Sequence, residues 1–216
     1  MQWRLLEEVP AEQVRDLLQI ARRRRFARNE VVFHRDDPGD SLHLISKGRF
    51  AIQVMTPLGD TATIAIRGPG ESFGEMALVG SMRRSATVAA LQESETFSIY
   101  QPDFERLRRH HPAVNDVLVR FLVSEVRMLN ERLLEALYVP VERRVLRRLV
   151  ELADLYSASD GIPEINLTQE AISELAGAAR PTVNRVLREE AERGTIELLR
   201  GRTRILDVDG LRKRAR

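Results

Sequence analysis

The feature that most constrains the fold is the segment Leu167–Arg185, LTQEAISELAGAARPTVNR, which predicts two short helices joined by a tight turn. Thr168 suits the N-cap of the first helix, because its hydroxyl accepts a backbone N–H that has no helical partner. Gly177 supplies the backbone freedom of the turn, and Pro181 suits the first turn of the second helix. The segment predicts a helix-turn-helix with its recognition helix second.

The two predicted helices separate apolar from polar residues. Helical spacing predicts a buried face made of Ala171, Ile172, Leu175, Ala176, Val183, Val186 and Leu187. The other face of the second helix carries donors that contact base edges or phosphates, namely Arg180, Thr182, Asn184, Arg185 and Arg188. Thr168 and Gln169, at the start of the first helix, complete the expected DNA-binding surface. The alternative is an ordinary helical hairpin in a small domain.

A predicted β-hairpin follows and favours the DNA-binding interpretation. Thr195–Leu199 and Thr203–Val208 have strand patterns, and the turn between them places Arg200 and Arg202 at a basic tip. A helix-turn-helix followed by such a hairpin is a winged helix, so double-stranded DNA is the expected partner.

Composition excludes several classes of protein. The chain has 216 residues and no cysteine, which excludes disulfides, thiolate metal sites and cysteine-ligated iron–sulfur clusters. The histidines show no metal-ligand spacing, so we expect no metal. The sequence has no apolar run of membrane-spanning length and no signal peptide, so we expect a cytoplasmic protein without a membrane partner.

The net charge of +2 is small, and its distribution is more informative. Basic residues concentrate in the recognition helix, the wing and the tail Arg212–Arg216. The run Arg22–Arg25 is a rival basic patch. We interpret it as the solvated end of an amphipathic helix whose buried face is Leu17, Leu18 and Ala21.

The region from residue 30 to residue 100 predicts short strands separated by glycine-containing turns. The expected strands are Glu30–Phe33, Ser41–Ser46, Arg49–Met55, Thr61–Ile66, Thr87–Leu91 and Thr96–Tyr100. This regular alternation predicts a β-roll or barrel, and with the helices that follow it gives an α+β fold.

A long helix is predicted from Pro112 until Pro140 interrupts it. Its apolar stripe is Val114, Leu118, Phe121, Leu122, Val126, Leu129, Leu133 and Leu137. The stripe either packs on its own domain or pairs with a second copy in a homodimer. We favour pairing, because a helix-turn-helix usually binds two DNA half-sites. A further helix is predicted over Val141–Ala153, followed by a surface loop over residues 157–161.

Residues 68–78 and 83–86 form a second concentration of chemistry, which we call the ligand cassette. A short helix beginning near Gly74 would direct free N–H groups at an anion. Arg84 is suited to neutralising a phosphate, Ser85 to donating a hydrogen bond to it, and Glu75 to accepting one from a ribose hydroxyl. Met76 belongs to the same expected ligand-binding set. The alternative is that these glycines form ordinary turns.

The β-roll, ligand cassette, long helix and winged helix-turn-helix occur in the order seen in the CRP/FNR family of bacterial transcription regulators, which this chain resembles. The resemblance implies that Gly74, Glu75, Arg84 and Ser85 hold the ribose and phosphate of cyclic AMP. It also implies a homodimer joined through the long helix and RNA polymerase as a partner. The expected domains are residues 1–111 for ligand sensing, 112–138 for dimerisation and 139–216 for DNA binding.

Two features depart from that family. Members that respond to cyclic AMP often have Thr followed by Ser or Asn on the long helix, where this chain has Leu129 and Asn130, and Asn130 is the residue we include in the ligand set. Pro181 replaces a glutamate of the recognition helix, so we expect a different preferred DNA sequence. The absence of cysteine argues against the iron–sulfur branch. We interpret the histidines as surface or core residues rather than haem ligands: His34, His43, His110 and His111.

These features leave three functions open. The first is transcription regulation controlled by a cyclic nucleotide. The second is a regulator that binds DNA without an effector, in which the β-roll is only a scaffold. The third is an enzyme that uses a carboxylate such as Glu75, which we rank last because the sequence shows no nucleophile with a base, no metal set and no Walker loop.

Overall fold

A computed structural model describes residues 3–7, 9–56, 59–78, 82–110, 113–157 and 161–216. The chain folds as two compact units, Met1–Arg127 and Met128–Arg216. Together they confirm the expected α+β class. No helix within the described residues is long and apolar enough to cross a lipid bilayer.

Among the described residues, the first unit begins with a single 3₁₀ turn, Arg4–Leu6, which is followed by helix α1 (Ala11–Ile20) and eight strands. Their bounds are β1 (Arg22–Phe26), β2 (Val31–Phe33), β3 (Ser41–Lys47), β4 (Phe50–Met55), β5 (Thr61–Arg67), β6 (Ser72–Phe73), β7 (Thr87–Ala90) and β8 (Ser94–Tyr100). They form two antiparallel sheets with the orders β1-β8-β3-β6 and β2-β7-β4-β5. Helix α2 (Gln101–His110) follows, and α3 (Ala113–Tyr138) begins in this unit.

Alternating apolar residues fill the space between the two sheets. Phe26, Ile45, Phe50, Phe73 and Val88 are buried in one cluster. A second cluster joins the strands to α1, α2 and the start of α3, with Leu17, Leu44, Ile99, Phe104 and Leu118 among its members. The ligand cassette lies where β6 leaves the first of these sheets, and a single-turn 3₁₀ helix, Glu75–Leu78, follows β6.

The prediction for Arg22–Arg25 was wrong. These arginines lie in β1, at one edge of its sheet. Oε2 of Glu95, on the paired strand β8, lies 2.6 Å from Nη2 of Arg23 and 3.4 Å from Nε of Arg25. The Arg22 guanidinium lies over the Tyr100 ring. Cross-strand pairs of this kind stabilise β1 although its sequence has no alternation of apolar and polar residues. Because that alternation is the sequence signal for a strand, the sequence did not predict β1.

The second unit contains the end of α3, then α4 (Val141–Tyr156), β9 (Glu164–Ile165), α5 (Gln169–Ala176) and α6 (Arg180–Glu192). Strands β10 (Ile196–Leu199) and β11 (Arg202–Ile205) form the predicted hairpin, and β9 pairs with β11. Of the loop expected at 157–161, residues 158–160 lie outside the described residues.

The strand predicted to reach Val208 ends earlier, at Ile205. Asp207 accepts a hydrogen bond from the Gly210 backbone N–H at 2.8 Å and caps a final helix, α7 (Val208–Arg214). An aspartate N-cap of this kind favours helix over strand, so that part of the prediction was wrong. The basic tail therefore lies largely in a helix whose Leu211 is buried.

Helix α3 changes its surroundings along its length. Val114, Val117 and Leu118 are buried in the core of the first unit, and Phe121 and Leu122 pack against that core. Further along, four apolar side chains of the predicted stripe are each between 56% and 64% exposed: Val126, Leu129, Leu133 and Leu137. The first half of the stripe thus packs on its own domain, and the second half is exposed to solvent in the single chain.

Candidate functional site

Gly74 determines the shape of the ligand cassette. Its φ of +82° lies in the left-handed region, which disfavours side chains. A Cβ at this position would lie 2.7 Å from Nη1 of Arg84 and 2.9 Å from the Ser41 carbonyl oxygen. Only glycine therefore lets the backbone approach the guanidinium this closely.

Arg84 is buried beside Gly74 and bonded to acceptors of the protein itself. Nη1 donates to the carbonyl oxygens of Ser41 at 2.7 Å and Gly74 at 3.4 Å. Nη2 donates to Oδ1 of Asp40 at 2.9 Å and to Oγ of Ser41 at 3.1 Å. The guanidinium carbon lies 4.0 Å from the centroid of the Phe33 ring. Burial lowers the pKa of Arg84, and the Asp40 carboxylate opposes that shift.

The remaining cassette residues differ in accessibility. Ser85 and Met76 are exposed, whereas Glu75 is partly buried. Burial raises the pKa of Glu75; its own backbone hydrogen bond opposes the shift, and the nearby Glu125 carboxylate adds to it. A hydrogen-bond donor placed against Glu75 would therefore stabilise a carboxylate that the protein destabilises.

Arg67 links the cassette to α3 within the first unit. Its guanidinium contacts Oε1 of Glu71 at 3.1 Å and Oε2 of Glu125 at 2.8 Å. Oε2 of Glu71 also accepts the Gly68 backbone N–H at 2.7 Å. Arg67 and Glu125 were not predicted from the sequence, because nothing in the local pattern signals a pairing across 58 residues.

His43 lies in the aromatic core behind Arg84. Its ring stacks on Phe73 with centroids 4.9 Å apart, and its nitrogens lie 3.1 Å from Oγ1 of Thr96 and 3.4 Å from Oγ of Ser41. Burial, followed by the charge of Arg84, lowers the pKa of His43 to about 3. His43 is therefore a neutral core residue. Its ring and the Arg84 guanidinium both contact the hydroxyl of Ser41.

The other histidines differ in how much of them is described. His34 is exposed, His111 lies outside the described residues, and of His110 only the backbone is described. Over the described part of the chain, no three histidine, aspartate or glutamate side chains are grouped so as to hold a metal ion. Asn130 lies on α3 in the second unit, where it is exposed.

The helix-turn-helix has the predicted local geometry. Oγ1 of Thr168 accepts the Ala171 N–H at 3.1 Å and caps α5, and Gln169 is the first residue of that helix. Gly177 ends α5 with φ +55°, and Pro181 lies in the first turn of α6. Val183, Val186 and Leu187 are buried as expected.

The exposed face of α6 carries the candidate DNA contacts. Arg180, Arg185 and Arg188 are exposed, and Thr182 and Asn184 are partly buried. Nη2 of Arg185 lies 2.7 Å from Oε1 of Glu142, and its Nη1 lies 2.8 Å from Oε1 of Glu189.

The tip of the wing is only partly neutralised. Arg200 is exposed at the turn, where Gly201 has φ +73°. Arg202 pairs with Glu164 at 2.9 Å, and Arg204 pairs with the same carboxylate at 2.9 Å. The structure thus brings α5, α6 and the wing together in one unit.

Two family models match the chain. The cyclic nucleotide-binding domain matches residues 23–111, and the Crp-like helix-turn-helix domain matches residues 143–214. Each match falls on the region where the corresponding candidate site lies.

Similar proteins extend over nearly the whole chain. A CRP-like cAMP-activated global transcriptional regulator of Mycobacterium tuberculosis is 31% identical over 88% of this chain and 87% of its own. The cyclic AMP receptor protein of Thermus thermophilus is 29% identical over 90% and 88%. The crystal structure of the Thermus thermophilus catabolite activator protein is similar with a TM-score of 0.58 and 28% identity, covering 98% of both chains.

Proposed function

Because this chain belongs to the CRP/FNR family of transcription regulators, we propose that a cyclic nucleotide bound at the ligand cassette controls its binding to DNA. The chain has the two domains of such a regulator, and the expectation that it is not an enzyme is confirmed by its family. On this proposal residues 1–111 sense the ligand, 112–138 dimerise and 139–216 bind DNA. Cyclic AMP is the first candidate effector, since the relatives named above are described by that nucleotide.

The observation that carries the proposal is the close approach of Gly74 to a buried arginine. Arg84 is the buried cation beside Gly74 that we assign to the phosphate, and Ser85, the next residue, carries an exposed hydroxyl. Glu75, whose pKa is raised by burial, is suited to accept from a ribose hydroxyl. Met76 and Asn130 remain candidates for further ligand contact.

Calorimetry with cyclic AMP and cyclic GMP tests this assignment. We expect saturable binding by the wild type and a loss of about tenfold or more in Ser85→Ala and Glu75→Gln together, because the double variant loses both proposed contacts to the ligand. Equal binding by the double variant would contradict the pocket assignment.

One observation favours the effector-free scaffold as a second candidate. The hydrogen bonds of Arg84 to Ser41, Gly74 and Asp40 already stabilise the cassette without an anion. If no cyclic nucleotide produces heat or a thermal shift while the protein binds DNA specifically, the scaffold interpretation replaces the first.

We propose that the exposed stripe of α3 pairs with a second copy. Val126, Leu129, Leu133 and Leu137 are too exposed in the single chain for large apolar side chains on one helix face, and a partner stripe would bury them. Leu129→Asp with Leu133→Asp should give a monomer by sedimentation. A monomeric wild type at micromolar concentration would contradict the proposal.

For DNA we propose that Arg180 and Arg185 contact bases, that Thr182 contacts a phosphate, and that Asn184, on the same helix, contacts a base or a phosphate. Thr168, Gln169, Arg200 and Arg202 would contact the flanking backbone. RNA polymerase is the proposed further partner. In vitro transcription from a promoter carrying the selected DNA site tests that partner, and unchanged transcript levels with bound regulator would contradict it.

A further inference from the structure

The N-terminal turn of α4 supports the helix-turn-helix at two points. Oε1 of Glu142 pairs with Nη2 of Arg185 on α6 at 2.7 Å. Nη2 of Arg144 donates to the carbonyl oxygen of Gly177, the residue that ends α5, at 3.3 Å. One turn of α4 thus contacts both the turn and the recognition helix.

Arg185 is held from two directions. Glu142 approaches from α4, and Glu189 approaches from one helical turn further along α6, at 2.8 Å. Glu142 lies in the first turn of α4, where free backbone N–H groups favour a carboxylate and restrict its position. The two carboxylates therefore restrict the rotamers of a side chain that is otherwise long and flexible.

The number of N–H donors left on the Arg185 guanidinium shows whether the two ion pairs position this side chain for DNA or withhold it from DNA. Arginine has five N–H donors, and the two ion pairs use one on each terminal nitrogen. A bidentate contact to guanine O6 and N7 needs two donors. Arg185 thus keeps enough donors to contact a base while both carboxylates remain bound.

We infer that Glu142, assisted by Glu189, is a specificity-determining positioning residue, which presents Arg185 to one base pair in each DNA half-site. The inference rests on the proposed base contact of Arg185. The ion pairs are about half exposed in the free protein, where water weakens them. Their effect should increase at the protein–DNA interface, where water is displaced, and should appear as base discrimination rather than as stability.

The test compares charge removal at two positions of the same surface. Glu142→Gln removes the positioning carboxylate. Glu192→Gln is the control, because Glu192 is an exposed carboxylate of α6 that lines the same surface groove as Arg185 but does not pair with it. Full-length proteins are titrated, with saturating cyclic AMP, against a duplex obtained by binding-site selection and against duplexes with each half-site base pair replaced.

We expect Glu142→Gln to reduce discrimination about fivefold at the base pair assigned to Arg185, and to leave the other positions unchanged. Glu189→Gln should reduce discrimination at the same base pair. It provides a second variant if Glu142→Gln folds poorly. Glu192→Gln should strengthen binding to every duplex alike, because it only removes a charge that repels phosphates. In an Arg185→Ala background, Glu142→Gln should have no further effect on discrimination.

The inference is overturned if Glu142→Gln and Glu192→Gln behave alike, or if Glu142→Gln sharpens discrimination, while Arg185→Ala still relaxes one position. If Arg185→Ala leaves every base preference unchanged, the proposed base contact fails first, and the inference fails with it.

Discussion

Replacing Arg84 by methionine should destabilise the first unit even when no nucleotide is present. Methionine keeps much of the stem and removes four hydrogen bonds, two of them to Ser41, which is 3% exposed. Buried acceptors left without a donor cost about 1–3 kcal/mol, and loss of the cation over Phe33 adds about 0.5–1 kcal/mol. Asp40, whose side chain is 63% exposed, regains water and adds little.

Methionine also avoids the cost of burying a charge, so we expect a net loss of about 1–3 kcal/mol in the free energy of unfolding. Urea denaturation followed by the fluorescence of Trp3, the single tryptophan and a buried residue of this unit, measures it. Arg83→Met is the control, because Arg83 is exposed and should change stability by less than about 0.5 kcal/mol. If the Arg84→Met protein is as stable as the wild type, the hydrogen bonds of Arg84 to protein acceptors do not stabilise the first unit. That result would instead be expected of a side chain that contacts only ligand.

Gly74→Ala should destabilise the protein more than Gly59→Ala in the same denaturation assay. Both glycines have a positive φ, +82° and +90°, but no atom of the described residues lies within 4 Å of a Cβ at Gly59, so equal losses would contradict the close approach at Gly74. Because the pKa of His43 is lowered to about 3 from about 6.5, its neutral form stabilises the fold above pH 6.5, and stability should fall by about 1.4 kcal/mol per unit as the pH decreases from there toward 3. His43→Phe should flatten that slope between pH 6.5 and 5, and an unchanged slope would refute the buried neutral ring. Thr168→Ala should lower the stability of the DNA-binding unit by about 1 kcal/mol in thermal unfolding while Thr168→Ser does not, and equal stability of all three proteins would contradict the cap.

The helix-turn-helix was predictable from the sequence because its signals are local. Thr168 determines where α5 begins, Gly177 where it ends and Pro181 where α6 begins, each by its own backbone or capping chemistry. The apolar spacing then places Val183 inward and Arg185 outward. Most strands of the first unit were predictable for the same reason, since the alternation of apolar residues and the glycine turns are also short-range patterns.

The features that the sequence did not predict depend on distant partners. Strand β1 is stabilised by Glu95, some seventy residues away, and its four arginines have no strand alternation of their own. The environment of Arg84 depends on Asp40 and Ser41, which lie more than forty residues earlier. A motif can identify a candidate phosphate ligand, but it does not show which acceptors that side chain already has.

The most direct test of the account is the affinity for a selected DNA duplex with and without cyclic nucleotide. Fluorescence anisotropy at one fixed salt concentration measures it, because phosphate contacts make any affinity depend on salt. If a cyclic nucleotide controls DNA binding, saturating cyclic AMP, or another cyclic nucleotide, should tighten binding between about fivefold and about 150-fold. The same dissociation constant in the absence and presence of every cyclic nucleotide would contradict effector control.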